Sequence, residues 1–118
     1  MTKAAIVVFA EAEEHSDTAR VVNALETVKE FKDAGDEVEL IFDGGGVTSA
    51  VALADPEHRL HRLYSKVEDR VSGVCRYCAR AFGVSEQAER LGIPFLAEYD
   101  QHPSLRTRVA GGYQVIAF

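Results

Sequence analysis

Cys75-Arg76-Tyr77-Cys78 puts two thiols three positions apart, a spacing that brings side chains to one face of a helix. Val71-Ser72-Gly73-Val74-Cys75 reads as a strand, and Arg76 to Phe82 as a helical turn or two stopped by Gly83, so Cys75 falls at a strand-to-helix junction. Unpaired amides and the dipole at a helix start favour thiolate over thiol, and Arg76 and Arg80 add positive potential. Cys75 is therefore the expected nucleophile. Cys78 is the thiol able to meet it, either in a disulfide or as a resolving group. The alternative for both is a small buried apolar side chain, a common fate of free cysteine.

Phe42-Asp43-Gly44-Gly45-Gly46 is the second constellation. It matches neither the phosphate loop G-x-x-x-x-G-K-[ST] nor the dinucleotide fingerprint G-x-G-x-x-G, so no nucleotide is implied. Asp43, Gly44, Gly45 and Gly46 are candidate ligand-contacting residues, because glycine permits close backbone approach and a helix starting near Val47 can hold an anion at its N-terminus. The plainer reading is that the glycines turn the chain and Asp43 caps the helix. His15, in the loop after the first strand, is a candidate to shuttle a proton or hold a thiolate, or else an ordinary surface histidine. Glu11, Glu13 and Glu14 beside it form an acidic rim.

His58-x-x-His61 together with Cys75-x-x-Cys78 supplies the residue types of a tetrahedral zinc site. Both histidines fall on the polar flank of an amphipathic stretch, and a domain of this size folds without metal. No metal and no cofactor is expected. Tyr99, Asp100 and His102 follow the fourth strand, with no spacing that singles out a role.

The elements that must position these residues alternate. Ala4 to Phe9 is a continuous apolar run of strand length, the mark of a strand buried on both faces. A helix capped by Ser16 or Asp17 follows, with Val21, Leu25, Val28 and Phe31 on one face, ended by Gly35. Val38 to Phe42 is a second strand, Val47 to Ala54 a short helix, and Glu57 to Lys66 another helix, with Leu60, Leu63, Tyr64 and Val67 on one side. After the strand ending at Cys75 come a helix from Ser85 to Leu91, a fourth strand from Ile93 to Ala97 weakened by Pro94, a helix from Pro103 to about Ala110, and a fifth strand from Tyr113 to Phe118. Strands alternating with helices predict a three-layer α/β/α sandwich around a mainly parallel five-stranded sheet. Such sheets bind ligands outside the carboxyl ends of their strands, where the loops opening at Ala10, Asp43 and Cys75 converge.

At 118 residues the chain fits a single domain, residues 1–118, and 47% hydrophobic with 27% charged residues suits a folded globular protein. A net charge of -6 argues against nucleic acid as a partner. No apolar run reaches the ~20 residues of a membrane helix, and the start carries no signal-peptide pattern. Two cysteines are too few for a disulfide framework. A cytoplasmic, unprocessed protein without membrane association is expected.

Phe42-Asp43-Gly44-Gly45-Gly46-Val47 after the second strand and Val74-Cys75-Arg76-Tyr77-Cys78-Ala79-Arg80-Ala81-Phe82-Gly83-Val84 after the third resemble the DsrE/DsrF-like family of small α/β proteins. There a cysteine ends the third strand and a Gly-Val or Gly-Ile pair follows eight positions later, as Cys75 and Gly83-Val84 do here. The resemblance covers nearly the whole chain. It implies a cytoplasmic sulfur-relay protein, with Cys75 accepting a sulfane sulfur as a persulfide and Cys78 matching a second cysteine found in some members. It also implies a homo-oligomer, trimer or hexamer, with sulfur-donor and sulfur-acceptor partners. The competing class is a noncatalytic small-ligand-binding or assembly module with structural cysteines. A thioredoxin-type reductase fits less well, because the five-strand alternation lacks that fold's mixed pairing and cis-proline.

Overall fold

The protein is described by a computed structural model covering residues 2–118. Its elements run β1 (Lys3–Val8), α1 (His15–Asp33), β2 (Glu37–Phe42), α2 (Gly46–Leu53), α3 (His61–Ser65), a 3-10 turn (Glu68–Arg70), β3 (Val71–Cys75), α4 (Arg76–Ala81), α5 (Ser85–Arg90), β4 (Phe95–Leu96), α6 (Leu105–Ala110) and β5 (Gln114–Ala117). All four strand pairings are parallel, in the order β4-β3-β2-β1-β5. The α/β sandwich expected from the alternation is therefore the fold observed.

The apolar run of β1 is an interior strand, paired in parallel with β2 on one side and β5 on the other. Ala4 through Val8 are fully buried. Ala4, Ile6 and Val8, with Val38, Leu40 and Phe42 of β2, join Val21, Ala24, Leu25 and Val28 of α1 and Val47, Ala50 and Val51 of α2 in one core. Burying an aliphatic side chain of this size contributes about 1.5–3 kcal/mol. Glu39 lies on the other side of β2 from Val38 and Leu40 and meets Arg108 of α6, so α6 covers the second face. Arg108 is buried between Glu39 and Glu98.

Several boundaries differ from the sequence reading. Phe9 lies outside β1 and is exposed, since the strand ends where its pairing with β2 ends. The start of α1 is at His15, with Glu14 as N-cap and no side-chain cap bond, leaving Ser16 and Asp17 inside the first turn. The Glu57 to Lys66 stretch is helical only over His61–Ser65. Before it, Asp55 Oδ1 and His58 Nδ1 accept the N–H groups of Glu57 and Leu60, local bonds that compete with a helix. The apolar face is the expected one: Tyr64 and Val67 are buried and Leu60 and Leu63 half-buried against the core. β4 shrinks to two residues behind Pro94.

Candidate functional site

The sheet register assembles the first half of the site. Phe42 is level with Val74 in the β2–β3 pairing, so the next residue on each strand, Asp43 and Cys75, leave the sheet side by side at its carboxyl edge. Cys75 is also the N-cap of α4, its Sγ accepting the Cys78 N–H at 3.4 Å. One turn on, the Cys78 thiol donates to Asp43 Oδ1 at 3.5 Å, the same oxygen that takes the Gly44 N–H at 2.8 Å.

The second half comes from a turn far along the chain. Tyr99 and His102 exchange backbone hydrogen bonds at 2.9 and 2.8 Å. Between them Asp100 and Gln101 both adopt positive φ, 46° and 70°, the two-residue turn geometry that glycine and asparagine usually fill. Gln101 accepts the Tyr77 N–H through its carbonyl at 3.0 Å, and the Tyr77 ring lies against the His102 imidazole with centroids 4.9 Å apart. Pro103, buried, follows and restricts His102 to extended backbone. His102 Nδ1 is thereby held 3.2 Å from Cys75 Sγ.

Four donor groups thus converge: Asp43, Cys75, Cys78 and His102, one ligand atom of each within 4.8 Å of all the others. Cys75 is fully buried and Cys78, Asp43 and His102 half-buried; both cysteines are free thiols. Burial pushes the Cys75 thiol up to about 12, with the Cys78 thiol and the Asp43 carboxylate adding to the rise and the Cys78 N–H opposing it. This corrects the expectation of a lowered thiol at a helix start. α4 is only six residues long, and the Arg76 guanidinium sits 5.6 Å over the Phe95 ring, so neither offsets the loss of water.

Of the other expected residues, His15 is the exposed first residue of α1 and has no hydrogen bond to this cluster among the described residues. The glycine loop packs on the loop after β1. A Cβ on Gly46 would overlap the Val8 carbonyl, one on Gly45 would meet Glu11 and the Phe9 carbonyl, and one on Gly44, at φ +52°, would meet the Phe9 ring. The N–H groups of Gly44, Gly46, Val47 and Thr48 are bound to Asp43, Gly44 and Gly45 oxygens, which takes up the amides an anion would use. His58 and His61 serve local carbonyl and amide groups. The imidazole at the cysteines is His102, which the sequence left without a role; the only signal was a His-Pro pair after a polar tripeptide.

Fold and cluster together define a small parallel α/β protein with a thiol, imidazole and carboxylate centre at the carboxyl edge of its sheet. No family model matches the chain. It is 32% identical over 96 residues to the uncharacterized protein MJ0733 of Methanocaldococcus jannaschii, a match covering 81% of this chain and 78% of that one, and it belongs to that protein's family. The fold is shared with a conserved protein of unknown function, BT1422 from Bacteroides thetaiotaomicron, at a TM-score of 0.65 and 14% identity over 98% of this chain and 95% of that one. No helix among the described residues is long and apolar enough to cross a membrane.

Proposed function

We propose that the protein is a cytoplasmic sulfur carrier that accepts a sulfane sulfur on Cys75 as a persulfide and hands it to a partner's thiol. The observation that carries this reading is the 3.2 Å separation of Cys75 Sγ and His102 Nδ1, hydrogen-bond distance between a thiol and a base. Burial disfavours a standing thiolate, so Cys75 gives its proton to His102 as it attacks. With thiosulfate as donor, the Cys75 sulfur bonds to the outer sulfur, the bond to the sulfonate breaks, and sulfite leaves with the electron pair. The product is a Cys75 persulfide anion beside protonated His102. An acceptor thiolate then attacks the outer sulfur and leaves Cys75 as thiolate, which recovers the proton. Without an acceptor, the Cys78 thiol closes on Cys75 as a disulfide and releases hydrogen sulfide. The resemblance to DsrE/DsrF-like proteins supports the same reading and extends it to a closed homo-oligomer, trimer or hexamer, working between a donor and an acceptor protein.

A second reading, a binding or assembly module with structural cysteines, is favoured by the complete burial of Cys75. Mass measurement after exposure to a sulfane donor separates the two: the carrier gains one sulfur and the module gains none.

A further inference from the structure

We propose that Asp43, Cys75, Cys78 and His102 form a tetrahedral site for a zinc-type divalent cation, an inference that goes beyond the carrier reading and does not rest on it. The donor set is two thiolates, one imidazole nitrogen and one carboxylate oxygen, all types that Zn2+ accepts in a four-coordinate site. Bond lengths of about 2.0–2.3 Å to such donors make the edges of the tetrahedron about 3.3–3.8 Å. Cys75 Sγ to His102 Nδ1 is 3.2 Å and Cys78 Sγ to Asp43 Oδ1 is 3.5 Å, two opposite edges already near that size. The widest pair of the four lies within 4.8 Å, so closing the remaining edges takes a contraction of about 1.5 Å at most.

The surroundings suit an ion. The Cys78 N–H points at Cys75 Sγ and the Gly44 N–H holds Asp43 Oδ1, outer hydrogen bonds of the kind that orient and stabilise charged ligands. The Tyr77 ring and the Tyr99–His102 turn fix the imidazole. The cluster draws on three separate parts of the sheet edge, after β2, after β3 and beyond β4, so an ion there would tie them together. A two-thiolate, one-imidazole, one-carboxylate set selects zinc or cobalt over magnesium or calcium, which prefer all-oxygen shells. On binding, the two thiols release their protons to solvent and both sulfurs are engaged. Metal-bound and sulfur-accepting forms are therefore alternative states of one set of side chains.

The test is titration of the reduced, full-length protein with cobalt(II) chloride, followed by displacement with zinc chloride against a chromophoric chelator. The expected result is one equivalent of cobalt taken up with intense tetrahedral ligand-field bands and a thiolate charge-transfer band, all displaced by zinc. His102→Ala and Cys78→Ser, at half-buried positions, should each weaken zinc binding by at least about 100-fold while circular dichroism shows them folded. His58→Ala should bind like the wild type. The proposal is overturned by no uptake at one equivalent, by an octahedral cobalt spectrum, or by folded His102→Ala binding as tightly as the wild type. Tight cobalt binding with no sulfur adduct would support the site and remove the carrier reading; an adduct without metal uptake would do the reverse.

Discussion

Cys75 Sγ lies 3.2 Å from His102 Nδ1, although the two stand 27 positions apart in sequence. Neither residue supplies this contact alone. Cys75 is fixed where β3 ends and α4 begins, and His102 is brought over it by a turn whose central residues, Asp100 and Gln101, both have positive φ. A non-glycine residue in that region costs on the order of 1 kcal/mol, and the hydrogen bond from the Tyr77 N–H to Gln101 holds the turn in place.

Native alkylation should reverse the order suggested by the C-x-x-C motif alone. Cys75 is buried and its thiol is pushed up to about 12, whereas Cys78 is partly open to solvent. Limiting iodoacetamide on the reduced, metal-free protein at mild alkaline pH should modify Cys78 first and Cys75 more slowly. Peptide mapping that finds Cys75 modified first would contradict this burial argument.

The glycine loop should be intolerant for a packing reason. A Cβ on Gly46 would overlap the Val8 carbonyl, and the backbone must shift to admit it, so Gly46→Ala should destabilise by about 2 kcal/mol or more. Gly83→Ala, at φ +71° with open space around the Cβ, should cost only about 1 kcal/mol from the strained backbone. Urea unfolding of both variants checks the order, and equal losses would contradict it.

Arg108 should matter more than any surface ion pair. Its buried guanidinium bonds Glu39 and Glu98, and Arg108→Met leaves Glu39 with the Ser72 hydroxyl but no cation, at a cost of about 3 kcal/mol. Burial alone would raise the Glu98 carboxyl, but the Arg108 hydrogen bond and charge and the Ser104 N–H bring it below its ordinary value. A depressed carboxylate stabilises the fold above its unfolded pKa of about 4.3 and loses that contribution as pH falls through the folded value. Glu98→Gln should therefore cost under about 1 kcal/mol at pH 7, since Glu98 is partly exposed, and progressively less as the pH falls below the unfolded carboxyl value. Thermal melts across the acid range test this, and a cost that does not shrink as pH falls would contradict it.

The sheet and three of the four cluster residues were legible in sequence because local rules carry them. Apolar run length gave β1 and β2, and the strand-to-helix junction gave Cys75 with Cys78 one turn on. Asp43 followed from the end of β2. His102 did not, because Tyr99-Asp100-Gln101-His102 forms its turn without glycine or asparagine, the usual sign of positive φ, and because only the tertiary fold brings that turn over β3. The upward shift of the Cys75 thiol escapes the sequence for a related reason. Helix starts are visible in sequence, but the desolvation that outweighs them depends on what packs above Cys75.

The most direct test of the carrier reading is intact-mass spectrometry of the reduced, metal-free protein after incubation with thiosulfate or polysulfide. The wild type should gain one sulfur atom, or lose two hydrogens where Cys78 has closed on Cys75. Cys75→Ser should gain nothing while remaining folded, since a buried hydroxyl costs about 1–3 kcal/mol against a typical domain stability of about 5–15 kcal/mol. Cys78→Ser should keep the sulfur longer, because the resolving thiol is gone, and His102→Ala should acquire it at least about 100-fold more slowly. A wild type that takes up no sulfur from either donor, or a folded Cys75→Ser that takes it up as readily, would contradict the account.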